Sequence, residues 1–357
     1  MRSMLAACSK NRTRPLGPPI SVALGITGQC NYRCLYCDVW RRENKGELGT
    51  EQWKAILNEL ADWLGPTHVS FAGGEPFLRR DLEEIVSFAY GLGFLPSVVT
   101  NGAALTADLV QQVTRWPLAS LILSIDSLSP EPHDTIHGAP GAHARVMSAA
   151  KEFVRHGFGQ RLRVATVLTG MNLDEIAPLA RWAAETDIGG FTVQPLGEPF
   201  DRPHDDDWYA VSPLKVEDPA HVAQVVHLLH QGKTQGWPVL NPNRQLQALP
   251  EYYRDPEQGM FLPCLVGSTT LGIGPQGELR FCPYLPAFGR YGQVGLRTQW
   301  FGIEAARLRR SVLRCKRGCS IMNCNFNPSL GERIRRWQIV LRNGTSSRAV
   351  ASTSGER

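Results

Sequence analysis

The chain has 357 residues, 43% hydrophobic and 20% charged, with a formal net charge of +5. That length supports one large core plus an appendage, and the absence of any apolar run of about 18 residues excludes a membrane-spanning helix. The charge is uneven: residues 305–357 hold 12 Lys/Arg and two Glu, whereas the other 304 residues carry 26 basic and 31 acidic side chains. The excess of positive charge is therefore a property of the C-terminal region. Only a handful of residues precede Cys8, too few for an apolar signal core. A cytoplasmic, reducing compartment is expected, in which clustered thiols read as metal ligands rather than disulfides.

In chain order, residues 1–18 read as a flexible leader, and SVALGIT (21–27) as a strand running into CNYRCLYC. Thr50 is placed to cap a helix whose Trp53, Ile56, Leu57, Leu60 and Leu64 share one face. Strand His68–Phe71, helix Asp81–Tyr90, strand Pro96–Thr100, helix Thr106–Arg115 and strand Ser120–Ile125 follow. A helix near Ala144–His156, strand Leu162–Leu168, helix Asn172–Glu185 and strand Gly190–Gln194 complete six β/α units, which implies an α/β fold with a parallel sheet. Beyond Gly197 the pattern loosens. EPFDRPHDDDWY reads as an acidic loop and Ala220–Gly232 as an amphipathic helix, whose His221, His227 and His230 fall on partly different faces and read as solvated or hydrogen-bonded. LGIGPQGELRF alternates about a Gly-containing turn and predicts a hairpin. ERIRRWQIVLR (332–342) reads as a solvated basic face, and the Ser/Thr-rich end from 345 as disordered.

Two cysteine sets carry the chemistry. Cys30, Cys34 and Cys37 place three soft ligands in one short loop. Four-iron clusters normally take four cysteines, so three leave one metal position open, as catalytic zinc sites also do. A structural zinc loop or three chance thiols are the alternatives. Gly73-Gly74-Glu75-Pro76 follows the next strand, where glycines admit close backbone approach to a ligand and a carboxylate suits an amine. Taken together, CNYRCLYC, GGEP, VVTNG (with Asn101) and LILSIDS (with Ser124 and Asp126) resemble the radical S-adenosylmethionine (radical SAM) superfamily.

That resemblance implies a partial (β/α)6 barrel over residues 19–235 with the chemistry at the C-terminal strand ends. It implies a [4Fe–4S] cluster on Cys30, Cys34 and Cys37 whose fourth iron is chelated by the amino and carboxylate groups of S-adenosylmethionine. It also implies that Gly73, Gly74, Glu75 and Pro76 bind the cofactor's amino group, that Asn101, Ser124 and Asp126 face the cofactor, and that Tyr36 packs near its adenine. The second set is Cys264 and Cys282, flanking the expected hairpin, with Cys315, Cys319 and Cys324. It resembles the SPASM or shortened "twitch" auxiliary-cluster extension and implies a small hairpin/helix domain over 236–342. The late group departs from the full SPASM spacing. Five thiolates complete one cubane but not two, so one auxiliary [4Fe–4S] cluster on four of the five is expected. A structural zinc site on four of them is the alternative.

The resemblance implies an enzyme: the reduced cluster cleaves the cofactor, and a 5′-deoxyadenosyl radical abstracts hydrogen from substrate. A peptide or protein substrate, matured by oxidation or bond formation, is the first expectation. A small metabolite such as a sugar, lipid or tetrapyrrole intermediate is the second, and an electron-transfer protein without turnover the third. Expected partners are a flavodoxin- or ferredoxin-like donor and a separate peptide carrier. Nucleic acid is not expected, because only Phe326 and Trp337 supply aromatic rings in the basic C-terminal region. The basic residues Arg307, Arg309, Arg310, Arg314, Lys316 and Arg317 are expected to crowd the late cysteines, raise the potential of an anionic cluster and dock an acidic donor.

Overall fold

A computed structural model describes residues 9, 13–41, 45–200, 204–257 and 263–325. The chain builds one sheet from β1 (Ser21–Thr27), β2 (His68–Gly73), β3 (Leu95–Thr100), β4 (Ser120–Ser124), β5 (Leu162–Leu168) and β6 (Phe191–Pro195). Each of the six pairs in parallel with the next. Parallel neighbours need crossovers. These are α1 (Thr50–Leu64), α2 (Leu82–Gly91), α3 (Ala107–Val113), α4 (Pro130–His137) with α5 (Ala142–Arg155), and α6 (Ile176–Glu185). The α/β fold with an open six-unit barrel is as expected.

Local chemistry explains the elements. In α1 the apolar spacing buries Trp53, Ile56, Leu57, Leu60 and Leu64, each contributing about 1.5–3 kcal/mol by leaving water. Its cap differs from the expectation. Gly49 is the capping residue, and the Thr50 hydroxyl instead donates to Asp81 Oδ2 at 2.6 Å, tying α1 to the start of α2. Thr106 does cap α3, accepting from the Leu109 N–H. Helix α4 is an addition to the sequence reading. Pro130 opens it, and Gly138 ends it in the left-handed conformation at φ 58°.

Past the barrel, α7 (Pro219–Thr234) buries Val222, Val225, Val226 and Leu229 as its spacing predicts. The preceding segment is less solvated than its acidic sequence suggests: Trp208 and Tyr209 are buried, and the Tyr209 hydroxyl bonds both N–H and C=O of Val216. His221 lies 3.0 Å from Asp174 and His227 bonds Gln231, in keeping with structural histidines. Helix α8 (Asn243–Tyr252) sends tyrosines to the strand ends. Tyr252 donates to the Leu196 carbonyl at 2.5 Å, and the adjoining Tyr253 donates to that of Leu168 at 2.6 Å.

The C-terminal segment does not stand apart from the barrel. After the short α9 (Val266–Thr269), β7 (Thr270–Ile273) pairs in parallel with β1, from Ser21↔Thr270 to Leu24↔Ile273. β8 (Glu278–Arg280) turns back as the expected hairpin, and β9 (Gly289–Arg290) follows it. The sheet order among the described residues is β6-β5-β4-β3-β2-β1-β7-β8-β9. Helices α10 (Leu296–Phe301) and α11 (Ile303–Arg314) close this end, with Trp300 fully buried. Cys8, the 332–342 segment and the Ser/Thr-rich end fall outside the described residues. Among the described residues no helix is long and apolar enough to cross a membrane.

Candidate active site

The first cysteine loop leaves the C-terminal end of β1 and is held from several sides. Glu47 accepts from the Gly28 N–H at 2.7 Å and from the Thr27 hydroxyl at 3.0 Å. The Arg33 and Leu35 N–H groups donate to the last carbonyls of α4, those of His137 and Ile136, at 3.1 and 2.9 Å. Cys34 is thus bracketed by two main-chain bonds. Within the loop, the Cys37 N–H donates to the Cys34 carbonyl.

The GGEP turn closes over the same strand end. The Gly74 N–H bonds the Thr27 carbonyl at 2.8 Å, and the Glu75 N–H bonds that of Gln29 at 2.7 Å. Both glycines are required. Gly73 sits at φ 123°, and a Cβ at Gly74 would stand 1.9 Å from the Gln29 oxygen. Pro76 is buried and starts the short turn that follows. The Glu75 side chain is tied to the protein itself. Only 1% exposed, its carboxylate accepts from Phe77 N–H (3.0 Å), Thr100 Oγ1 (2.8 Å) and Asn101 N–H (2.8 Å). It locks the turn to the end of β3 rather than standing open. Burial raises its pKa to about 6 against the lowering effect of these three donors.

Asn101 extends the brace to the cysteines. Its amide donates to Asn31 Oδ1 at 2.9 Å and lies 4.0 Å from the Cys30 sulfur. Asp126, expected to face the cofactor, is instead a buried hub. Oδ1 accepts from Val167 N–H (2.7 Å) and Thr166 Oγ1 (3.1 Å). Oδ2 accepts from the Tyr36 hydroxyl at 3.0 Å and lies 3.0 Å from His137 Nε2. Burial alone would raise its pKa, but the His137 ring and the Val167 N–H outweigh it and hold the carboxyl below its ordinary value. Tyr36 therefore anchors the cysteine loop through Asp126, with its ring edge-on to that of His137. Ser124 ends β4 half-buried.

The thiols fit a cationic occupant. Burial pushes the Cys30 and Cys34 pKa values up, and at Cys34 the neighbouring Cys37 and Asp126 push the same way. A bound metal cation would reverse this shift, because a coordinating thiol is deprotonated outright.

The second set also gathers, although its members come from three separated segments. Burial raises the Cys319 pKa, and the thiols of Cys282, Cys264, Cys315 and Cys324 all add to it. Burial likewise lifts Cys264 to about 11, with Cys282 and Cys315 contributing. Asn325 is the clasp: it accepts from Leu265 N–H at 2.5 Å and donates to the carbonyls of Pro263 (3.1 Å) and Ser320 (2.8 Å). Gln245 on α8 holds the same loop by donating to the Ile321 carbonyl at 2.9 Å. Among the described residues the cysteines form no disulfides, and no group of three His, Cys, Asp or Glu residues converges closely enough for a single metal ion.

Of the neighbouring basic residues, Arg309 and Arg317 are engaged by the protein, while Arg307, Arg310, Arg314 and Lys316 are exposed. Arg309 is buried, stacked 4.6 Å from both Phe281 and Trp300, and donates to the Gly267 carbonyl. Arg317 pairs with Glu198, and Arg307 with Glu304. Between this set and the end of β6 lies a cavity of about 320 Å³, reached by Glu198, His204, Tyr284, Cys315, Arg317 and Cys319.

The model of the Radical SAM superfamily matches residues 24–183. Over those residues the chain is similar to that superfamily. A stretch of 142 residues is 36% identical to a PqqA peptide cyclase of Rhizobium meliloti, spanning 39% of the chain and only 38% of the cyclase. A longer match, 26% identical over 325 residues, links 85% of the chain to 88% of an AdoMet-dependent heme synthase of Methanosarcina barkeri. In fold, the chain is similar to Streptococcus suis SuiB bound to its precursor peptide SuiA, with a TM-score of 0.67 and 18% identity over 88% of this chain and 74% of that one.

His137, Asn325, Gln245 and Glu47 were not singled out by the sequence. The one local signal was the His-Gly pair ending HDTIHG, which marks a helix end but not which way its last side chain points.

Proposed function

We propose that this chain is a radical SAM maturase that oxidises or cross-links a peptide or protein substrate. One observation carries the reading: three half-buried thiols and a glycine cradle share the C-terminal end of β1, and five more thiols gather beyond the end of β6. When bound, the cluster and S-adenosylmethionine supply reductive sulfonium cleavage and a radical able to take hydrogen from an unactivated C–H bond. Cys30, Cys34 and Cys37 would hold that cluster. Gly73 and Gly74 let the turn close against the cysteine loop, where it would meet the cofactor, while Glu75, Asn101 and Asp126 fix the walls. Ser124 and the ring of Tyr36 complete the cofactor's surroundings.

Four of Cys264, Cys282, Cys315, Cys319 and Cys324 would hold one auxiliary [4Fe–4S] cluster, which would supply an acceptor for the electron of the substrate radical or a relay from a flavodoxin- or ferredoxin-like donor. Residues 19–235 then form the core, and 236–342 the auxiliary unit that completes its sheet. The cavity of about 320 Å³ borders Cys315 and Cys319, so it would belong to the surroundings of the auxiliary cluster. The match to the peptide cyclase supports a peptide substrate, and a separate carrier protein would present it.

The heme synthase match, which spans most of the chain, favours a tetrapyrrole as the second reading. The test adds reduced protein and S-adenosylmethionine to a short peptide encoded beside this gene, or to a tetrapyrrole. Peptide-dependent 5′-deoxyadenosine with loss of hydrogen from the peptide is expected. Stimulation by the tetrapyrrole alone would overturn the maturase reading.

A further inference from the structure

The ring of His137 sits deep in the molecule, 1% exposed, between the cysteine loop and the Asp126 hub. Nδ1 lies 3.5 Å from the Cys34 sulfur, and Nε2 lies 3.0 Å from Asp126 Oδ2. The ring stacks on His133 at 4.2 Å and meets the edges of Tyr32 and Tyr36 at 5.8 and 6.2 Å. Its orientation is fixed from every side. The main chain agrees with the side chain, since the His137 carbonyl accepts from Arg33 N–H, one residue before Cys34. Gly138 allows this approach: a Cβ there would stand 2.5 Å from the Arg33 oxygen. Asp126 is in turn immobilised by Val167, Thr166 and Tyr36.

We infer that His137 is a positioning residue for Cys34, donating a hydrogen bond from Nδ1 to its sulfur, with the ring held in place by His133, Tyr32 and Tyr36. The inference rests on Cys34 being a cluster ligand, as proposed above. A ligating thiolate only accepts, so the proton in the contact belongs to the ring. A hydrogen bond donated to a cluster-ligating sulfur raises the reduction potential and orients the ligand. The residue therefore eases reduction of this cluster and has no such effect on the auxiliary one.

The experiment is a redox titration of anaerobically reconstituted full-length protein, followed by the electron paramagnetic resonance of each reduced cluster. His137→Ala removes the donor. His137→Leu removes it while keeping more of the packing, and serves if the alanine variant loses its cluster. His137→Asn keeps a donor near Nδ1. In the donor-free variants the S-adenosylmethionine-responsive cluster should be about tenfold harder to reduce, a fall of about 59 mV for one electron. His137→Asn should recover much of that loss, and the auxiliary potential should stay fixed. Equal potentials in donor-free and donor-bearing variants that retain the cluster would overturn the inference. Wild-type protein with no S-adenosylmethionine-responsive cluster would instead defeat the underlying assignment of Cys34.

Discussion

The two cysteine regions are built on different principles. The first lies on consecutive barrel units. Its loop follows β1, its cradle follows β2, and the side chains that lock both come from the ends of β3 and β4. The second is assembled from residues near 264, 282 and 315–325, clasped by Asn325 across some 60 residues of chain. A site formed by the fold's own repeating units is preorganised as soon as the sheet forms. A site closed by distant segments pays loop-closure entropy first and is the more easily opened. The first site should therefore be lost only by direct damage, and the second also by loosening its clasp.

The largest effect expected is that of changing Cys30, Cys34 and Cys37 together to Ala. Reconstituted protein should fall from about eight irons per chain to about four, with no 5′-deoxyadenosine formed. Iron analysis with a turnover assay reads both, and a mutant that still cleaves the cofactor would remove the first region from the chemistry. Next comes Gly74→Ala, whose Cβ would collide with a backbone oxygen that cannot retreat without moving the cysteine loop. S-adenosylmethionine binding should be lost while auxiliary iron stays, and calorimetric titration showing wild-type affinity would mean that the turn lies away from the cofactor.

Asn325→Ala probes the contrast from the other side. Three hydrogen bonds from a buried side chain, about 1 kcal/mol each, should be enough to cost auxiliary iron while leaving the first cluster's spectrum intact. Equal loss from both clusters would show that the two regions are not independent. Glu75→Gln should be the mildest. The amide places a donor against one of three N–H or O–H donors and weakens charge-assisted bonds to neutral ones. About a tenfold loss of cofactor affinity with full iron content is expected, and unchanged affinity would leave Glu75 as a turn residue only.

Much of this was legible in the sequence. The apolar spacing of α1 and the alternation of β1 and β5 follow directly from burial on one face. The cysteine spacing and the GGEP turn marked the first site. The directions of Glu75 and Asp126 were not legible, because a motif places a carboxylate at a strand end without saying whether ligand or protein N–H groups will claim it. Here protein donors claim both. The pairing of β7 with β1 was also hidden, since the two strands are about 245 residues apart and nothing local in Thr270–Ile273 names its neighbour. Arg309 shows the same limit: in sequence it is one of six clustered cations, and in space it is a buried stacking partner of Trp300.

The most direct test of the account is electron paramagnetic resonance of the reduced, reconstituted wild-type protein before and after S-adenosylmethionine is added. Two four-iron signals are predicted, of which one shifts with the cofactor and vanishes in the Cys30, Cys34 and Cys37 triple variant. The other should persist unchanged. A single signal indifferent to S-adenosylmethionine, or zinc in place of iron at both thiol sets, would contradict it.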